Sequence, residues 1–179
     1  MKREMKMSRA FIFGILMVFA SRALALDLDA PFESIDGGTL SISQWQGQPV
    51  LVVNTASLCG FADQFRDLQD LHDRYTAQGV VVLAVPSDDF RQELGSNAEV
   101  KEFCEMQYGI TIPMTGITRV TGSQAHPFYL SLRTETGFRP QWNFNKVLID
   151  QNGAVVSTYG AQVSPMSSVI TRDIERLIN

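Results

Sequence analysis

Two unbroken apolar runs limit what this chain can fold into. Pro49-Val50-Leu51-Val52-Val53 and Val80 to Val85 show no polar alternation, the mark of strands covered on both faces. Between them, Phe61 to Gln78 sets Phe65, Leu68, Leu71 and Tyr75 at helical spacing and stops at Gly79, a good helix-terminating residue. Strand, helix, strand with both strands buried is a parallel βαβ unit. The small, polar stretch Asn54 to Gly60 then falls beyond the carboxyl end of the first strand.

The other elements extend this unit into a mixed sheet. Phe32 to Ile42 reads as a short hairpin turning at Asp36-Gly37-Gly38. After the second strand, Pro86 to Gly95 is a polar loop, and Ser96-Asn97-Ala98-Glu99 has the form of a capping box opening a helix that runs to Tyr108 and closes at Gly109. His126 precedes Pro127 at the start of a short helix. Lys146 to Asp150 and Ala154 to Thr158 flank Gln151-Asn152-Gly153 as an antiparallel hairpin. A last helix is expected from a Ser164 cap with Pro165 at its first position to Ile178, burying Ile170, Ile174 and Leu177. A parallel βαβ half followed by an antiparallel ββα half gives the α/β thioredoxin-like arrangement, a central mixed sheet flanked by helices. No internal repeat or low-complexity stretch interrupts it.

The N-terminus has the pattern of an export signal. Lys2, Arg3, Lys6 and Arg9 precede the apolar run Ala10 to Ala20, which ends near Ala23-Leu24-Ala25. The run is about half of the roughly twenty residues that a spanning helix needs, so cleavage after Ala25 and a periplasmic or secreted location are expected, with no stable membrane insertion. Removing 25 of the 179 residues leaves 154, one ordinary domain over 26–179. It also takes away five basic residues against one acidic one, moving the net charge from −4 to −8. Such an acidic surface argues against nucleic acid or anionic lipid as a partner.

Two cysteines remain, Cys59 and Cys104. In an exported chain a pair normally suggests a structural disulfide, but the place of Cys59 argues otherwise. Between a buried strand and its helix, it lies where α/β sheets set their ligands, and a helix N-terminus favours a thiolate. From position alone it reads either as a nucleophile or as a small buried hydrophobe. Cys59-Gly60-Phe61-Ala62 lacks the second cysteine of a C-x-x-C dithiol, which disfavours plain disulfide exchange. A lone thiolate needs a substrate it can attack by itself, and the O–O bond of a peroxide is one, giving Cys–SOH.

Three stretches carry a resemblance. Val53-Asn54-Thr55-Ala56-Ser57-Leu58-Cys59-Gly60-Phe61, Gln92-Glu93-Leu94-Gly95-Ser96-Asn97 and Trp142-Asn143-Phe144-Asn145-Lys146-Val147-Leu148-Ile149-Asp150 are similar, in that order, to signatures of the glutathione peroxidase family, with Ala125-His126-Pro127-Phe128-Tyr129 as a fourth patch. The resemblance covers almost the whole of 26–179. It implies a non-selenium peroxidase with Cys59 as the peroxidatic residue and Trp142 and Asn143 beside it, acting on hydrogen peroxide and organic hydroperoxides with a reducing thiol, thioredoxin-like or glutathione. It implies no cofactor and no metal, and the short stretch from Arg133 to Trp142 implies a monomer. An indole N–H and a carboxamide can donate to a thiolate or a peroxide oxygen without adding negative charge. Without the resemblance, Trp142 would read as core and Asn143 as a turn residue.

The pattern departs from the family at the fourth site residue. Val85-Pro86-Ser87-Asp88-Asp89-Phe90 sets Asp89 where the family has a Gln, and one residue of the following Gly-Gly pair is missing, leaving Arg91 alone before Gln92. Cys104 falls on the helix that carries the resolving cysteine in many non-selenium members, about one residue early, and also shares an apolar face with Val100 and Phe103. It reads either as a resolving or as a core cysteine. His72 and His126 read as structural, and Cys59, His72, Cys104 and His126 contain no short metal-ligand pair. A peroxiredoxin would need Pro at Val52 and Thr at Ala56. The competing functions are an exported thioredoxin-like thiol-disulfide oxidoreductase and a metallochaperone-type binding module.

Overall fold

The structure, a computed structural model, describes residues 26–179; the expected signal segment and its cleavage point lie outside the described residues. A two-residue pair, β1 (Phe32–Glu33) with β2 (Thr39–Leu40), forms the N-terminal hairpin. The main sheet has four strands in the order β4-β3-β5-β6. Strand β3 (Val50–Thr55) runs parallel to β4 (Val81–Pro86) and antiparallel to β5 (Lys146–Ile149), and β5 pairs antiparallel with β6 (Val155–Tyr159).

Both apolar runs are buried on both faces, β3 inside the sheet and β4 at its edge. Leu51 and Val53 of β3 point into a cluster with Phe65, Leu68 and Leu71 of α1 (Gln64–Tyr75), Val100 and Cys104 of α2 (Asn97–Tyr108), and Ile170 and Ile174 of α4 (Ser168–Ile178). Val50 and Val52 point the other way, to Phe32 and Leu40 of the hairpin and to Phe128 and Leu132 of α3 (Pro127–Thr136). Removing a full apolar side chain of this kind from water contributes about 1.5–3 kcal/mol, so helices on both sides hold the sheet between two cores. Among the described residues no helix is long and apolar enough to cross a membrane.

Capping follows local chemistry. Ser96 accepts the Glu99 N–H at 3.3 Å and donates its hydroxyl to the Glu99 carboxylate at 2.9 Å, and Gly109 ends α2 with φ 64°, a left-handed position cheap only for glycine. Before Pro127, His126 caps α3, its Nδ1 accepting the Phe128 N–H at 3.3 Å while its ring stacks on Phe32 at 3.6 Å.

Three boundaries differ from expectation. Helix α4 starts at Ser168 and not at Ser164, because the Ser164 hydroxyl donates to Asp67 at 2.5 Å and accepts the Met166 N–H in a separate turn. Strand β3 runs on through Asn54 and Thr55, expected as loop, because both continue the parallel pairing opposite Val85 and Pro86. Helix α1 starts at Gln64 and not at Phe61: tight turns closed by Ala62 N–H to the Cys59 carbonyl (2.9 Å) and Gln64 N–H to the Phe61 carbonyl (2.9 Å) precede it.

Candidate active site

Cys59 therefore sits in a chain of turns, five residues before α1, rather than in its first turn. Its side chain is 6% exposed, and the Phe61 N–H lies 3.4 Å from Sγ. The next residue upstream, Leu58, is 61% exposed, so the loop holds a buried cysteine just beneath an exposed apolar side chain.

The end of β3 is what ties this loop to a distant turn. Asn54 uses all its polar groups on residues 142–145: its N–H donates to the Asn145 carbonyl (3.2 Å), its carbonyl accepts the Phe144 N–H (2.5 Å), its Nδ2 donates to the Trp142 carbonyl (3.0 Å), and its Oδ1 accepts the Asn145 N–H (3.1 Å). Asn145 Nδ2 adds a second bond to the Trp142 carbonyl at 3.0 Å. Phe144 takes φ 60° in this turn, an uncommon conformation for a non-glycine residue that the four-bond clamp holds in place. Asn54 and Asn145 were not singled out as site residues from the sequence. The signal that could have found them is their presence in two of the signature stretches.

The clamp presents the expected site residues differently. The Trp142 indole is 40% exposed and packs against Phe90 at 5.5 Å between ring centres. Asn143 is wholly buried, its Nδ2 donating to Gln92 Oε1 at 3.0 Å and its Oδ1 having no partner among the described residues. Gln92 in turn accepts the Leu58 N–H on its carbonyl at 2.9 Å, and Glu93 accepts the Ser57 N–H on Oε1 at 3.0 Å. The two residues before Cys59 are thus held by two successive residues of the loop after β4.

Asp89, the sequence's candidate for the fourth site position, bonds to a different turn. Its Oδ2 accepts the Val120 N–H at 2.7 Å, the Thr121 N–H at 2.8 Å and the Thr121 hydroxyl at 3.2 Å. The carboxylate anchors that turn and makes no hydrogen bond to Cys59, Trp142 or Asn143 among the described residues. Arg91, left alone by the shortened loop, takes φ 58°, the left-handed conformation that a glycine would adopt without strain.

Cys104 lies in the α1-side core with Val100, and both cysteines are free thiols. Burial, helped by the charges of Glu93 and Glu105, pushes the Cys104 thiol up to about 12. Glu93 is buried as well, and burial raises its carboxyl above the ordinary 4.5 against the opposing hydrogen bonds from Ser57 and Leu94. Lys146, fully buried, joins the start of α1 to the far side of the site: its Nζ donates to Gln64 Oε1 at 2.6 Å and to the Val163 carbonyl at 2.6 Å, and burial pulls its ammonium down to about 7. No three His, Cys, Asp or Glu side chains among the described residues cluster as metal ligands.

Comparison with known proteins narrows the chemistry. A model of the family described as glutathione peroxidase matches residues 28–133. A glutathione peroxidase of Lactococcus lactis subsp. cremoris is 40% identical over 136 residues, covering 73% of this chain and 87% of that protein. A hydroperoxy fatty acid reductase of Synechocystis sp. is 36% identical over 156 residues, covering 81% and 91%. The fold is also that of a thioredoxin-family thiol:disulfide interchange protein from Chlorobium tepidum, with a TM-score of 0.63 at 14% identity over 83% of this chain and 92% of the other, so the architecture is thioredoxin-like.

Proposed function

This chain belongs to the glutathione peroxidase family and is a peroxidase, and on that premise we propose that Cys59 is the nucleophile that reduces hydroperoxides to water or alcohols. What carries the reading is Gln92, whose carbonyl holds the Leu58 N–H while its carboxamide holds Asn143, so that the cysteine loop and the Trp142–Asn143 turn meet across one residue.

The Cys59 thiolate attacks the terminal oxygen of ROOH and the O–O bond breaks. The sulfur keeps the OH as Cys–SOH, a two-electron oxidation, and RO⁻ leaves and takes up the proton that the thiol gave up. A reducing thiol R′SH then attacks the sulfenic sulfur, releasing water and leaving a mixed disulfide, which a second thiol opens to return Cys59. The Phe61 N–H, 3.4 Å from Sγ, is a donor that adds no negative charge next to sulfur, and the second N–H of the Asn143 carboxamide is the donor this reading assigns to the peroxide oxygens. Exposed Leu58 and Trp142 leave an organic peroxide's apolar tail a surface to lie on, and the acidic domain favours a thioredoxin-like reductant over glutathione. The pattern of residues 1–25 supports action outside the cytoplasm, in the periplasm or after secretion.

Cys59→Ser tests the reading. A hydroxyl matches the thiol's shape but has negligible anion at neutral pH, so consumption of hydrogen peroxide with thioredoxin should vanish while the melting temperature holds. Turnover within about tenfold of wild type would mean that another group does the chemistry.

A further inference from the structure

Asn143 is buried with a side chain that must be oriented by something. A carboxamide can turn its N–H end or its oxygen end toward the same neighbour, and which it does is set by its hydrogen bonds. Among the described residues one side chain hydrogen-bonds to it: Gln92, through Oε1 at 3.0 Å. That bond occupies one of the two Asn143 N–H groups, and Oδ1 has no hydrogen-bond partner among the described residues. The same residue fixes the cysteine loop through the Leu58 N–H at 2.9 Å. Asp89, three residues earlier, is bonded through Oδ2 to Val120 and Thr121.

We infer that Gln92 is a positioning residue of the peroxide step: by accepting one Asn143 N–H on its own Oε1, it fixes which end of the Asn143 carboxamide meets the hydroperoxide beside Cys59. The inference rests on Cys59 being the peroxidatic residue and Asn143 its neighbour. Gln92 touches no reacting atom. Its effect passes through Asn143, and it should therefore be felt by an electrophile that needs its oxygens held and not by one that lacks them.

Stopped-flow oxidation of Cys59 by hydrogen peroxide, and alkylation of Cys59 by iodoacetamide, distinguish these in Gln92→Ala, Asn143→Ala and the double variant, with Gln92→Leu as a volume-matched substitute should the Ala variant lose its fold. Misplacing a catalytic group costs up to about a hundredfold, so the expected result is a drop of about ten- to a hundredfold in the peroxide rate for Gln92→Ala and alkylation within about twofold of wild type. The double variant should be no slower than Asn143→Ala, because residues acting through one contact are not additive. Equal losses in both reactions would make Gln92 a prop for the loop alone. No loss with peroxide, or a double variant as slow as the product of the singles, would equally overturn the inference. Cys59→Ser, run alongside, separates the two claims: full activity there removes the nucleophile, whereas the Gln92 series bears only on how Asn143 is held.

Discussion

Asn54 and Asn145 are joined by two hydrogen bonds, the Asn54 N–H to the Asn145 carbonyl at 3.2 Å and the Asn145 N–H to Asn54 Oδ1 at 3.1 Å. One lies in the strand that leads to Cys59 and the other follows Asn143 by two positions, so the pair ties the Cys59 loop to the Trp142–Asn143 turn.

Asn54→Ala should therefore hurt catalysis as well as folding. It deletes a donor to the Trp142 carbonyl and an acceptor for the Asn145 N–H, a loss of about 1–3 kcal/mol in stability. The freed turn should lower the peroxide rate by about ten- to a hundredfold. Urea unfolding and stopped-flow oxidation of the same sample give both numbers, and an unchanged rate at the lower stability would show that the turn holds its place without Asn54.

The parts of this molecule that were legible in advance are those governed by local pattern. Val50 to Val53 and Val80 to Val85 announce buried strands because no polar residue interrupts them, and Ser96 with Glu99 announces a helix start because both partners lie within four residues. Asn54 looked like loop because an amide is a poor strand residue by composition; tertiary hydrogen bonds to residues nearly ninety positions away reversed that. Gln92 was invisible as a partner of Asn143 for the same reason. The partners of Asp89 were equally illegible, because its carboxylate accepts the backbone N–H groups of Val120 and Thr121, 31 and 32 positions along the chain.

Cys104 should not resolve the oxidised Cys59. Its thiol is buried in the α1-side core and held up at about 12, so almost none of it is thiolate at neutral pH, and the thiolate is the attacking species. Cys104→Ala should keep turnover with an external thiol, at a stability cost of about 1 kcal/mol. One equivalent of peroxide should leave a sulfenic acid on Cys59 that dimedone traps, with Cys104 alkylatable only after unfolding. A Cys59–Cys104 cross-linked peptide pair in the mass spectrum would instead require α2 to open during the cycle.

Glu93 makes stability fall as pH rises. Burial raises its carboxyl in the folded protein above the ordinary 4.5, so between about pH 4.5 and the raised native value the unfolded chain gives up this proton first, and folding loses free energy over that interval before levelling off. Glu93→Gln keeps an Oε1 acceptor for the Ser57 and Leu94 N–H groups and removes the titration. Its advantage over wild type should grow with pH through that window and then stay constant, as read by urea unfolding between about pH 4 and pH 8. A difference independent of pH would show that Glu93 is not the titrating group.

Asp89→Ala separates an anchor from a site residue. The carboxylate holds two backbone N–H groups and one hydroxyl in the Val120–Thr121 turn, and hydrogen bonds to a charged acceptor are worth about 1.5–3 kcal/mol each at most, less where water can take over. The variant should lose about 1–3 kcal/mol of stability, and Asp89→Asn, which keeps one acceptor oxygen, should lose less. Because none of these bonds reaches Cys59, Trp142 or Asn143, both variants should oxidise Cys59 within about twofold of the wild-type rate at equal folded fraction. Should Asp89→Ala slow that step by about tenfold or more while its melting temperature is unchanged, the carboxylate leaves the turn during the reaction and belongs with the catalytic residues after all.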